Sequence, residues 1–153
     1  CIVLHGKSIE YVMTCKYLGF HLISSKQLKF SIREDLCGFF GCVNSILNCM
    51  SCPKENVLLQ LLYRNCIPRL TYGAAVKDLT ASEKQQLNVS VNGAIRRIFG
   101  FRRWESIRFL REFYNFDSIE TIFTKARKLF GVSLASHGYH VFRFLATLKV
   151  IDI

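Results

Sequence analysis

The hydrophobic period of this chain changes once, at Ser24-Ser25, and that change limits the fold more than any other feature. Before it, Ile2-Val3-Leu4 runs through Gly6-Lys7-Ser8 into Ile9–Met13, and Tyr17–Ile23 is rich in aromatic and branched residues. Such stretches suit a pleated surface, so a β-hairpin and one more short strand are expected over residues 2–23. After it, Leu28, Ile32, Leu36, Phe40 with Phe39, Val43 and Leu47 recur at helical spacing. A second helix is expected from Cys52-Pro53, carrying Val57/Leu58, Leu61/Leu62, Cys66 and Leu70, bent or shortened at Pro68 and closed at Tyr72-Gly73.

Three more helices follow from their start and stop signals. Thr80-Ala81-Ser82-Glu83 has the spacing of a capping box and precedes the stripe Leu87, Val91, Ile95, Ile98/Phe99, which Gly100 ends. A short helix is expected over 104–114. Asp117 with Glu120 three residues on predicts another start, for the stripe Ile119, Phe123, Ala126, Phe130 and Leu134, broken at His137-Gly138. A last helix would span about 139–148. The chain therefore reads as mainly α, a short N-terminal β element followed by five or six amphipathic helices, with no internal repeat and no long linker.

Half the residues are apolar, which excludes a disordered polycation. The formal charge is +10, and so basic a small domain points to a polyanion. Seven cysteines at irregular spacing do not form a disulfide framework and suggest a reducing, intracellular compartment, nuclear or cytoplasmic. No secretory leader is expected, because Lys7 interrupts the start. Leu36 to Pro53 is uncharged, but Asn44, Ser45, Asn48 and Ser51 make an amphipathic helix a better reading than a membrane span. The lone pair Cys49/Cys52 is weak evidence for zinc, and thiols acting as small apolar core residues are expected instead.

No catalytic residues are expected. Asp35, Asp78, Asp117 and Asp152 are far apart, and no acidic pair is spaced to hold two magnesium ions. The bases are more informative. From Arg96 to Arg143 there are ten, against four acids. Arg96, Arg97, Arg102, Arg103, Arg108, Arg111, Lys125 and Lys128 are candidate phosphate ligands, with Trp104 interleaved for stacking. The competing reading is a solvated face in which Arg102 and Arg111 pair locally with Glu105 and Glu112.

Three stretches, in order, carry a family likeness. They are Lys16-Tyr17-Leu18-Gly19-Phe20-His21-Leu22, Ile67-Pro68-Arg69-Leu70-Thr71-Tyr72-Gly73-Ala74 and Asn92-Gly93-Ala94-Ile95-Arg96-Arg97-Ile98-Phe99-Gly100, and the likeness built on them covers roughly residues 10–135. The chain resembles the C-terminal part of reverse transcriptases of non-LTR (LINE-type) retrotransposons. The resemblance implies that residues 1–25 are the end of the palm, with Tyr17, Leu18 and Gly19 as the strand beside the primer grip. It implies a helical thumb-like bundle over 26–100 and a basic post-thumb linker over 101–153. The chain then binds the backbone of an RNA–DNA hybrid or other nucleic acid without catalysing anything itself. Mg2+ would belong only to the intact RNA-directed DNA polymerase, and this chain holds no cofactor. The absent palm and fingers would be its other partners, and surfaces that face them make self-association plausible. Starting at Cys1 fits a truncated copy. The alternatives are a stand-alone helical nucleic-acid-binding module, a non-functional copy, or an interaction or membrane-surface protein.

Overall fold

In the computed structural model, which describes residues 2–26, 29–49 and 54–136, the chain is mainly α with strands at its N-terminal end. β1 (Ile2–Leu4) and β2 (Lys7–Ile9) form one antiparallel hairpin. β3 (Thr14–Tyr17), β4 (Phe20–Ile23) and β5 (Lys29–Phe30) form a separate three-stranded antiparallel sheet in that order. Both hairpins turn through two residues at positive φ: His5 and Gly6 at 49° and 77°, Leu18 and Gly19 at 46° and 82°. Positive φ at both loop residues matches the right-handed twist of the flanking strands.

This differs from the expected strands in one informative way. Tyr17–Ile23 is not a single strand. Its middle is a turn, and the register Lys16↔His21 and Tyr17↔Phe20 folds it back on itself. Residues Thr14–Tyr17, which the sequence pattern left unassigned in part, supply the partner strand, while Tyr11 and Val12 stand outside any strand.

The helices begin with α1 (Arg33–Asn48), which buries Phe39 and Val43. Leu36 is partly buried with them, but Phe40 turns outward rather than joining the core. α2 (Glu55–Leu61) continues through a π-helical turn, Leu62–Cys66, into α3 (Ile67–Thr71). Pro68 explains the widened turn. It has no N–H for the carbonyl of Arg64, and its ring would crowd that carbonyl in a regular α-helix. The helix loosens just before the proline instead of stopping, and Ile67 N–H reaches back to the carbonyl of Leu62. The expected start at Cys52-Pro53 lies outside the described residues.

α4 (Ala81–Ile98) is capped as its sequence predicts. Thr80 Oγ1 accepts from Glu83 N–H, and the Glu83 carboxylate accepts from Thr80 N–H at 2.8 Å. α5 (Arg108–Phe113) is shorter than expected, because residues 102–105 form a turn closed by Glu105 N–H to the Arg102 carbonyl. α6 (Ile119–Ser136) is capped by Ser118, not by Asp117. Ser118 Oγ accepts from Thr121 N–H at 3.1 Å, and Asp117 pairs with Lys125 at 2.7 Å. The expected break at His137-Gly138 and the last helix lie outside the described residues.

One apolar core joins these helices. Phe39 and Val43 of α1 meet Leu59, Leu62 and Leu70 from the α2–α3 segment, Leu87, Val91 and Ile95 of α4, and Ile119 and Phe123 of α6. Each such side chain contributes on the order of 2 kcal/mol by leaving water. No helix among the described residues is long and apolar enough to cross a membrane. The thiols divide differently from expectation. Cys66 is buried and Cys42 partly so, but Cys15, Cys37 and Cys49 are exposed.

Candidate nucleic-acid interface

Two of the three stretches singled out in the sequence meet in space. The Leu18-Gly19 turn lies against Tyr72-Gly73 at the end of α3. Tyr72 Oη donates to the Leu18 carbonyl at 3.1 Å, and the Phe20 and Tyr72 rings sit 5.3 Å apart. Both glycines are required there. A Cβ on Gly19 would stand 3.0 Å from the Tyr72 ring, and one on Gly73 would stand 2.2 Å from the Phe20 ring. Both residues also hold positive φ, which costs other residues roughly 1–2 kcal/mol.

Beside this junction is an open groove of about 410 Å³. Lys16 and His21, paired across the hairpin, form one wall with Gly19; Arg69, Pro68 and Tyr72 form another; Glu34 and Asp35 of α1 line the rest. The acids are partly committed. The Ser31 hydroxyl donates to the Glu34 carboxylate and holds its pKa below the usual range. Asp35 Oδ2 pairs with Lys77 Nζ, which is 1% exposed and also lies 5.6 Å from the centre of the Phe20 ring. Arg127 donates to the Lys77 carbonyl at 2.9 Å and pairs with Asp78 at 3.1 Å, so the 73–78 turn is tied to α1 and to α6.

The residues singled out from the sequence do not form one face. Tyr17 and Leu18 are exposed on the hairpin. Arg97 donates to Asn44 Oδ1 at 2.9 Å and ties α4 to α1. Arg102 places its guanidinium 5.7 Å from the centre of the Trp104 ring, and Trp104 is 78% exposed, so most of the indole is open to solvent. Arg103 is exposed beside it. Lys125 and Lys128 project from α6 to solvent, Lys125 beside Asp117.

Arg96, Arg108 and Arg111 are brought together. They line a cavity of about 360 Å³ between α4 and α5, with Asn92, Ser106, Ile107 and Glu112. Arg96 Nε donates to the Glu105 carbonyl at 3.0 Å, and Arg108 Nε to Glu112 at 2.8 Å, a contact that raises the Arg108 pKa. The expected pairing of Arg111 with Glu112 is therefore taken by Arg108. The expected pairing of Arg102 with Glu105 is made by the Arg102 backbone N–H rather than by its guanidinium.

Sequence reasoning missed Lys16, His21, Arg69 and Tyr72. Lys16 and His21 flank Tyr17–Phe20, and recognising Leu18-Gly19 as a turn would have placed them opposite each other. Arg69 and Tyr72 needed the tertiary contact. Among the described residues, no three His, Cys, Asp or Glu side chains come together to hold a metal ion. Asp35 pairs with Lys77, Asp78 with Arg127 and Asp117 with Lys125. No family model matches the chain, and no curated protein and no solved structure matches it.

Proposed function

We propose that this chain is the thumb side of a non-LTR retrotransposon reverse transcriptase, a fragment that grips the backbone of a primer–template hybrid and performs no chemistry itself. The observation that carries the reading is the packing of the Tyr17-Leu18-Gly19 hairpin on Tyr72-Gly73. Two motifs that resemble that family in sequence, and lie some 50 residues apart, explain each other's glycines.

The chemistry of the surface agrees. Lys16 and Arg69 offer cationic groups beside the turn, His21 a ring nitrogen, and Arg102, Arg103 and Trp104 offer charge and a ring face. Phosphate contacts position a strand without reading its sequence, as a polymerase clamp must. Proton transfer and metal chemistry stay with the catalytic palm of the parent polymerase.

The test is binding and extension in parallel. A fluorescein-labelled RNA–DNA hybrid is titrated with wild-type chain and with the Lys16→Ala/Arg69→Ala double variant. We expect the variant to bind about tenfold more weakly at low salt, as loss of two phosphate contacts implies. Equal binding by the two, or DNA synthesis by the chain alone, contradicts the reading.

A further inference from the structure

We propose that the cavity between α4 and α5 is a phosphate-binding site, with the Arg111 guanidinium as its main ligand. Arg111 is partly buried, and its Nε and Nη2 are shielded from solvent and have no hydrogen-bond partner. These two nitrogens lie on one edge of the planar guanidinium. That edge makes the side-on, bidentate contact with two oxygens of a phosphate or carboxylate. Buried polar groups are nearly always satisfied, so a charged donor pair without a protein partner is available to an oxyanion.

The surroundings suit an oxyanion. Arg96 spends Nε on the Glu105 carbonyl, which leaves its terminal nitrogens for the cavity. Ser106 adds a hydroxyl at the wall. Asn92 also lines the cavity, and its Oδ1 has no partner; turning the amide over presents its Nδ2 as a donor instead. Glu112 is the one acid at the wall, and Arg108 neutralises it at 2.8 Å. Three arginines against one carboxylate leave the cavity cationic. Arg111 must turn its shielded edge into the cavity to bind, and there is no hydrogen bond on that edge to break.

The occupant is a backbone phosphate of the bound nucleic acid. This source rests on the functional reading above, whereas the oxyanion chemistry does not. Carboxylates are the weaker match, because a tetrahedral group can engage Arg111 and Arg96 from different directions at once.

The experiment has two arms on the full chain. In the first, thermal unfolding is followed in sodium phosphate and in sodium chloride at matched ionic strength, for wild type, Arg111→Lys, Arg111→Gln and Arg96→Gln. Wild type should melt higher in phosphate, and the three variants should lose most of that increment. Arg111→Lys keeps the charge and removes only the fork, so its loss separates bidentate binding from general charge. In the second, binding to an RNA–DNA hybrid is measured across a salt series, and Arg111→Gln should lower the log–log slope by about 1. If phosphate stabilises no more than chloride, the site is overturned, while hybrid binding by wild type leaves the thumb reading standing. If phosphate stabilises but the hybrid slope ignores Arg111, the nucleic-acid source is overturned. If Arg111→Gln does not fold, Arg96→Gln and Arg111→Lys decide the matter by the same readouts.

Discussion

Gly73 concentrates several constraints in one residue. It must hold φ at 69° and leave room for the Phe20 ring, which a Cβ would approach to 2.2 Å. Gly73→Ala should cost roughly 2–4 kcal/mol from left-handed strain and overpacking together. A urea melt would read this as a lower midpoint at unchanged slope. The sequence pattern marked this glycine as a helix stop, which it is, but the ring that fills its missing side chain comes from a hairpin more than 50 residues earlier. Local pattern cannot supply that. Cys66 makes a second residue-scale prediction. Burial, then a hydrogen bond with the Cys42 side chain, pushes its thiol up from about 9 to about 12. A raised folded-state value means full stability below pH 9 and a decline as pH rises toward 12, because only the unfolded chain ionises in that window. Burial raises the Tyr63 phenol as well, which steepens the decline at its upper end. Alkaline melts should show this loss, and at pH 8 thiol reagents should modify Cys15, Cys37 and Cys49 but spare Cys66.

At the scale of elements, α4 and α6 were legible because each signal is local: a cap, a stripe, a stop. Even so, the α6 cap belongs to Ser118, since Asp and Ser are both good caps and adjacent in sequence. The π-helical turn before Pro68 was less legible. A proline announces trouble, but whether a helix breaks or widens depends on what holds its far side, and here Cys66, Ile67 and Leu70 are all buried in the core. The link between elements was not legible at all. Lys77 lies in the turn after α3, to which the sequence pattern gave no role, yet it is buried and paired with Asp35 across the α1–α3 junction. Asp35→Ala should cost about 3–5 kcal/mol, because it strands a buried ammonium. Lys77→Met with Asp35→Leu should recover most of that, since an apolar pair of similar size leaves no charge unpaired. A double-mutant cycle on chemical denaturation checks both.

Over the whole molecule, the helices close one core while the hairpin end stays open. Every residue of β3 is exposed, and Tyr11, Val12, Met13, Tyr17 and Leu18 lie uncovered near it. On the functional reading, this end is the last piece of the palm, and its uncovered residues face the rest of that domain. The basic residues are correspondingly dispersed. Some brace the fold, as Arg97 and Arg127 do, some gather at the α4–α5 cavity, and Arg102 and Arg103 flank an exposed Trp104. The sequence showed the excess of bases but not this division, because basic side chains that brace a fold and basic side chains that do not are the same residue types. The central claim is that the second group binds a nucleic-acid backbone. Fluorescence anisotropy against an RNA–DNA hybrid across a salt series tests it most directly, comparing wild type with the Arg102→Ala/Arg103→Ala variant. We expect binding that weakens steeply with salt, and a log–log slope smaller by about 2 in the variant, at nearly 1 per lost phosphate contact. A folded chain that shows no binding at low salt, or a variant with the wild-type slope, would contradict it.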